Sequence, residues 1–247
     1  MYFTVPLPQV TAMFTFPALL QAMVGEMRRT DRRLPAMRHI VTSGAMLTEW
    51  LYDVARSTFG GLQSLRNVYA MTEACILITA QPHNLDVGNL GKDVGLPVAT
   101  SSVKVVDMKT REKLGPCQMG EICFRAAAMM RGYYKRPKES SELFDEDGWL
   151  QTGDAGYYDE NGRLYFAERL KQMIKCMGNQ VVPGELEELL LSRHAEEIAQ
   201  VSVIGLPHAE YGEAAAAAVV LTEKGRQQQL SDLEQRIKAT VAGEKSN

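Results

Sequence analysis

Two dipeptides, Asp147-Gly148 and Asn161-Gly162, constrain this chain more than any other feature. Each offers the left-handed backbone that a tight reversal needs. They flank short aromatic and apolar runs: Trp149-Leu150, Tyr157-Tyr158 and Leu164-Tyr165-Phe166. The middle of the chain is therefore predicted to be antiparallel hairpins. The stretch before it agrees. Val103, Val105 and Asp107 alternate with Lys104 and Val106, and Glu121 to Arg125 reads as a second strand.

The flanking regions read differently. Leu19, Leu20, Met23 and Met27 recur at helical spacing after Pro17. Arg38 to Thr42 is a short strand ended by Ser43-Gly44. Thr48 can cap a helix with Leu51, Val54, Ala55 and Phe59 on its buried face, stopped by Gly60-Gly61. Leu65 to Tyr69 is a strand that runs straight into Met71-Thr72-Glu73. Beyond the hairpins, Pro183 opens a helix with Leu186, Leu189 and Leu190 as its apolar face. Glu185, Glu187 and Glu188 load its first turns, as the helix dipole favours. Val201 to Ile204 and Ala215 to Leu221 read as strands, and Ser231 to Val241 as a final helix capped by Ser231. The predicted fold class is α/β with a β-rich middle and a small α+β tail. Its boundary is placed at Glu168 to Lys171, giving domains 1–168 and 169–247.

Composition narrows the function classes. With 247 residues, 45% hydrophobic, 23% charged and a net charge of −3, this is an ordinary globular composition. The slight acidity leaves no electrostatic footprint for nucleic acid. The densest basic cluster, Arg28, Arg29, Arg32 and Arg33, has Asp31 inside it and reads as a solvated helix end. Cys75, Cys117, Cys123 and Cys176 form no CxxC pair, and His39, His83, His194 and His208 stand apart from them. No structural metal site is expected, and a reducing compartment is the simpler reading. The longest apolar run, Ala214 to Leu221, is too short for a transmembrane segment. MYFTVPLPQV lacks the regions of a signal peptide, and the final GEKSN is no peroxisomal address.

Three segments carry chemistry: Tyr69-Ala70-Met71-Thr72-Glu73, Gly148 to Asp154, and Glu168 to Lys171 continuing to Lys175, Gly178 and Gln180. Each alone has a plain explanation. Thr72 can hold the next turn, Thr152-Gly153-Asp154 can be an Asx-type turn, and a Lys-rich stretch is usually a solvated face. Lys175, among Met173, Ile174, Cys176 and Met177, can equally be the lone polar residue of an edge strand. Trp149 and Tyr157 read as core aromatics, and Met129-Met130 as packing.

In their order and spacing these segments resemble the adenylate-forming superfamily of AMP-dependent synthetases and ligases. The resemblance is to the branch of 4-coumarate–CoA ligase, related acyl-CoA synthetases and beetle luciferases. It is carried by SGAML at Ser43, YAMTEA at Tyr69, GEICFRAAAMMRGYYKRP at Gly120, the run from Asp145 to Lys175, NQVVPGELEELLL at Asn179 and VIGLPHAEYGE at Val203. It covers the chain from about Val10 onward.

The resemblance implies an α/β large domain, present in part, and a small mobile α+β lid. It implies two steps: a carboxylic acid takes AMP from ATP, and coenzyme A then takes the acyl group. Glu73 suits Mg²⁺ on the triphosphate, and Thr72 offers a hydroxyl to a phosphate oxygen. Asp154 has two acceptor oxygens for a ribose diol, and Arg169 a planar donor fork for phosphate or ribose oxygens. Gly44 and Ala45 are small enough to lie against adenine, and Tyr69 joins them in the nucleotide site. Lys171 falls at the hinge, and Lys175 and Gln180 match lid residues that approach the reacting centre.

The sequence departs from the family pattern in four places. The Gly-rich phosphate loop that should precede Val10 is not in this sequence, nor is the catalytic lysine that should follow the tail. Loss of one such preorganised donor commonly costs ~100- to 1,000-fold in rate. Ala70 and Val68 stand where Gly is usual, and Met177 replaces a lysine. The expectation is an acyl- or aryl-CoA ligase impaired in this chain. The alternatives are a luciferase-like adenylating oxygenase and a non-catalytic nucleotide-binding remnant. ERLKQMIKCMG is unlike the lid motif of carrier-loading adenylation domains. The acid is not fixed by these residues, and the resemblance points to peroxisome or cytoplasm. Missing sheet neighbours should make the chain aggregation-prone when produced alone. A soluble monomer with one cooperative melt contradicts that expectation.

Overall fold

The computed structural model describes residues 9–75, 77–82, 93–177 and 179–244; His83, Gly178 and both chain ends lie outside them. The chain divides into two compact units, Met1–Phe166 and Ala167–Asn247.

The first unit opens with an alternation of strand and helix. Strand β1 (Ala12–Thr15) leads through α1 (Pro17–Thr30) to β2 (His39–Thr42), then through α2 (Glu49–Thr58) to β3 (Ser64–Ala70). β1, β2 and β3 pair in parallel, with Thr42 opposite Asn67, because a helix returns the chain to the same end each time. Thr48 caps α2 as expected, its hydroxyl accepting from Leu51 N–H at 3.2 Å. Leu20, Val24 and Met27 of α1 pack with Leu51, Ala55 and Phe59 over Ile40 and Leu65. The stripe passes through Leu20, so the expected contribution of Leu19 fails: Leu19 is 60% exposed on the adjacent face. Leu20, Val24 and Met27 recur at i, i+4 and i+7 and share one stripe, while Leu19 is turned about 100° away from Leu20.

The sheet continues with antiparallel β4 (Leu77–Ala80) and β5 (Leu96–Pro97). A second sheet has the order β6 (Ser101–Val106), β7 (Gly120–Ala126), β8 (Leu150–Tyr158), β9 (Leu164–Arg169). β7 pairs antiparallel with both β6 and β8. Gly148 and Gly162 take φ of +74° and +75°, the left-handed backbone that the Asp-Gly and Asn-Gly dipeptides announce. Tyr69 and Ile78 from the first sheet share a core with Val105, Ile122, Phe124, Leu150 and Leu164 from the second. Val106 departs from the alternation and is buried, covered where Lys113 bridges to it. A short helix, α3 (Pro137–Ser141), follows β7.

Trp149 and Tyr157 are half-buried, not core. Trp149 lies between Lys104 Nζ and Arg125 Cζ, each 4.8 Å from its ring, and Tyr157 stacks on Tyr165. Cations cover Trp149, which precedes β8, and a neighbouring ring covers Tyr157, in place of aliphatic side chains.

The second unit has a four-stranded sheet of order β11 (Asn179–Val181), β10 (Ile174–Cys176), β13 (Gly212–Leu221), β12 (Ile198–His208). β10 lies between two partners, so Lys175 is not on an edge strand. Helix α4 (Pro183–Arg193) buries Leu186 and Leu190. Glu187 does more than load the helix dipole, since its Oε1 accepts from Val203 N–H at 2.7 Å. After α5 (Glu223–Arg226) comes α6 (Leu230–Glu244). Ser231 lies inside α6, not at its cap, because Asp232 and Leu233 N–H already bond the Gln229 carbonyl. Among the described residues, no helix is long and apolar enough to cross a membrane.

Asp93 is fully buried beneath the join of the two sheets, its Oδ1 accepting from Gly95 N–H at 2.8 Å. Arg163, a third exposed, reaches within 3.5 Å of Oδ2. Burial pushes the carboxyl above its ordinary range, and the Gly95 bond and Arg163 only partly oppose it. The folded chain thus favours the protonated acid. That contribution is complete below the ordinary carboxylate range and is lost as pH rises through the raised value. Asp93→Asn escapes the loss while keeping the oxygen for Gly95. Thermal melts should show the variant gaining on the parent as pH rises from the ordinary carboxylate range toward neutrality. A constant difference across that range contradicts the assignment.

Candidate functional site

The parallel strands β2 and β3 end side by side, and the residues that follow them gather at one edge of the sheet. Clefts at the carboxyl ends of parallel strands are where such sheets hold ligands. Ser43, Gly44 and Ala45 leave β2 there; Gly44 and Ala45 are exposed. Gly44 has φ +85°, and a Cβ on it would meet the Phe16 ring at 3.0 Å. Only glycine holds this turn without strain.

Tyr69, Thr72 and Glu73 leave β3 at the same edge. Thr72–Ala74 form a single 3-10 turn, closed by Cys75 N–H donating to the Thr72 carbonyl at 3.1 Å, and Thr72 is exposed. Glu73 is half-buried. Its carbonyl accepts from Met130 N–H at 2.8 Å, and its Oε1 accepts from the Tyr133 hydroxyl at 2.5 Å. That hydrogen bond, more than burial, pushes the Tyr133 phenol above its ordinary range.

Asp154 reaches this edge from the other sheet. Thr152-Gly153-Asp154 is not an Asx-type turn, as the bland reading of the sequence has it. It is a bulge within β8. Glu121 of β7 pairs with Ala155 and Cys123 with Gln151, so the β8 side carries two extra residues. Gly153 takes φ +70° at the bulge. The Thr152 hydroxyl donates to the Ile122 carbonyl at 2.7 Å and accepts from Asp154 N–H at 3.0 Å. Asp154 is completely buried, and its Oδ2 accepts from the Tyr69 hydroxyl at 2.5 Å. Tyr69 in turn lies against the Phe166 ring, centroids 6.2 Å apart.

Glu121 holds the bulge from beneath. Its Oε1 accepts from Gly153 N–H at 3.0 Å, and its Oε2 pairs with Arg111, which also donates to Gln151 Oε1 at 2.7 Å. Sequence reasoning missed Glu121 and Tyr133 although both lie inside the quoted Gly120 to Pro137 segment. A signal for Glu121 was present: it is the acid beside the buried run Ile122-Cys123-Phe124. An acid there needs a partner. Cys123, next to it, is pushed up to about 11 by burial and is an inert packing thiol.

In the second unit, Lys175 and Gln180 face one another across β10 and β11, both exposed. Lys175 N–H donates to Glu213 Oε2 at 2.7 Å, a contact between distant parts of the unit. Arg169 ends β9, and its carbonyl accepts from Gln172 N–H at 2.8 Å and Met173 N–H at 3.1 Å. Lys171 is exposed within that turn. The structure thus joins Tyr69 to Asp154, places Gly44 and Ala45 after β2 and Thr72 and Glu73 after the neighbouring β3, and pairs Lys175 with Gln180 in the second unit.

Residues 7–134 match the model of the AMP-binding enzyme family, and residues 185–246 match that of the AMP-binding enzyme C-terminal domain. The chain is 39% identical over 188 residues to luciferin 4-monooxygenase of Nipponoluciola cruciata, a match covering 76% of this chain and 33% of that protein. It is 34% identical over 208 residues to 4-coumarate–CoA ligase-like 1 of Arabidopsis thaliana, covering 83% and 38%. The fold matches o-succinylbenzoate–CoA synthetase of Bacillus subtilis, solved with its acyl-adenylate intermediate. The TM-score is 0.76 and the identity 26%, with 94% of this chain and 45% of that chain covered. The chain spans about a third of the length of these curated relatives. It belongs to the AMP-binding enzyme family, whose structural neighbours are adenylate-forming enzymes.

The bulge should be sensitive to its support. Glu121→Ala strands Gly153 N–H and should lower the unfolding free energy by about 2 kcal/mol. Gly153→Ala adds a methyl that meets nothing within 4 Å. It should therefore cost only the backbone term, about 1 kcal/mol. Urea unfolding checks both, and a neutral Glu121→Ala contradicts the supporting role.

Proposed function

We propose that this chain carries adenylate recognition and part of the lid chemistry of an acid-activating ligase that makes acyl-CoA. A carboxylate oxygen attacks the α-phosphorus of ATP, the bond to the β-phosphate oxygen breaks, and pyrophosphate leaves. The sulfur of coenzyme A then attacks the acyl carbon, the bond to the phosphate oxygen breaks, and AMP leaves. The thiol proton passes to solvent or a base.

The observation that carries this reading is Asp154. A completely buried carboxylate on a bulge of β8, held by the Tyr69 hydroxyl from the parallel sheet, has the chemistry to accept hydrogen bonds from a diol. The ribose 2′- and 3′-hydroxyls supply two such donors. Gly44 and Ala45, at the same edge, leave room for the base. Thr72 offers its hydroxyl to a phosphate oxygen. Glu73 is a single hard carboxylate, which suits Mg²⁺ held mainly by the nucleotide's own phosphates. Bound there, the cation would neutralise charge on the triphosphate. Lys175, an exposed cation in the second unit, is assigned to the negative charge of the reacting acyl phosphate, with Gln180 beside it as a hydrogen-bonding partner. Arg169 is assigned to phosphate or ribose oxygens, and Lys171 to the hinge.

A luciferase-like outcome, in which the acyl adenylate is oxidised, is the second reading. It is favoured by the identity to luciferin 4-monooxygenase. Light emission with luciferin, ATP, Mg²⁺ and oxygen separates it from thioester formation.

The test is AMP binding by calorimetry together with ATP–pyrophosphate exchange over a panel of carboxylic acids. Asp154→Ala should weaken AMP binding by about 100-fold, since it removes two hydrogen bonds to a charged acceptor. Lys175→Ala should leave AMP affinity unchanged and slow acid-dependent exchange by about 100-fold. AMP binding that ignores Asp154 overturns the site. AMP binding without exchange by any acid leaves the chain as a nucleotide-binding remnant and overturns the assignment of turnover to it.

A further inference from the structure

Tyr133 is the one side chain whose hydroxyl bonds the carboxylate of Glu73 among the described contacts, and it comes from sixty residues further along the chain. Its position is fixed at three points. Tyr133 N–H donates to Ser140 Oγ at 2.8 Å, and that hydroxyl donates to the Arg136 carbonyl. Gly132, at φ +150°, leaves the space for this, since a Cβ there would meet Ser140 Oγ at 2.9 Å. Three residues earlier, Met130 N–H donates to the Glu73 carbonyl at 2.8 Å. The segment after β7 is thus tied to the Glu73 turn by backbone and side chain at once, and Tyr133 is tied to α3.

The Glu73 turn needs such support. It is a lone 3-10 turn without a side-chain cap, and Cys75, which follows it, takes the left-handed φ of +55°. A glutamate on so short an element has three side-chain rotors to be restrained. The Tyr133 hydroxyl engages Oε1 and so restrains the carboxylate, with Oε2 assigned to a cation.

We infer that Tyr133 is a positioning residue for Glu73, setting the carboxylate that receives the nucleotide-bound divalent cation. This rests on the proposed role of Glu73 in holding Mg²⁺. The role inferred for Tyr133 needs no contact of its own with nucleotide or cation. Tyr133 acts through Glu73, as hydrogen-bonded outer partners do for metal-holding carboxylates.

The experiment uses the 247-residue chain with Mn²⁺ as the probe, titrated by electron paramagnetic resonance in the presence of β,γ-methylene-ATP. Metal-free AMP affinity is measured in parallel by calorimetry. Tyr133→Phe removes only the hydroxyl and should weaken Mn²⁺ binding about tenfold while AMP affinity holds within about twofold. Glu73→Gln should weaken Mn²⁺ binding further, and adding Tyr133→Phe to it should have no additional effect. Ser140→Ala, which loosens the anchor without touching the phenol, should shift Mn²⁺ binding in the same direction by less. If Tyr133→Phe leaves Mn²⁺ affinity unchanged while Glu73→Gln lowers it, the inference is overturned and the role of Glu73 stands. If Glu73→Gln also has no effect, the role of Glu73 falls and the inference with it. Equal losses of Mn²⁺ and AMP affinity in Tyr133→Phe mark a general structural role and overturn the inference as well.

Discussion

The hydrogen bond from Tyr69 to Asp154 is the contact on which the rest of the first unit converges. It links β3 of the parallel sheet to β8 of the antiparallel sheet, across 85 residues of sequence. Neither group would sit there for packing alone. A fully buried carboxyl group is costly unless it is hydrogen-bonded, and the phenol gives it one well-directed donor. The shared core of Ile78, Ile122, Phe124 and Leu150 brings the sheets together; the Tyr69–Asp154 bond sets where on that junction the carboxylate stands.

The bulge in β8 is what allows Asp154 to reach that position. An unbroken strand would alternate its side chains through the junction at fixed spacing. Two extra residues opposite Ile122, with Gly153 in the left-handed region, change the aim of the strand locally. Glu121 and Thr152 then satisfy the amide groups that the broken ladder releases. Strand distortion, buried acid and hydroxyl support form one device. The pairing of Glu121 with Arg111 extends it to the β6–β7 turn.

Much of this was legible in the sequence where local chemistry decides. The Thr48 cap, the glycine turns at Gly148 and Gly162 and the Pro183 helix start are set by nearest neighbours, and the structure agrees with each. The family could be read because long motifs recur in order. What the sequence hid was decided by tertiary partners. Leu19 has the right spacing for α1 but faces away from Ile40 and Leu65. Ser231 looks like a cap, yet the Gln229 carbonyl starts the helix earlier. The Thr152-Gly153-Asp154 segment has turn composition, and only its pairing with β7 reveals a bulge. Tyr133 carries no pattern of its own, because its meaning lies in a group 60 residues away, and Glu121 shows only as an acid beside a buried run, its partner 32 residues away.

The central claim is that the Asp154 carboxylate is positioned to take a ribose diol. Comparing the affinities of the chain for AMP and for 2′,3′-dideoxy-AMP, in the parent and in Asp154→Ala, tests it most directly. The account predicts that the parent loses about 100-fold in affinity when the two hydroxyls are removed, and that Asp154→Ala scarcely distinguishes the two nucleotides. Equal affinities in the parent, or an undiminished preference for AMP in Asp154→Ala, would contradict it.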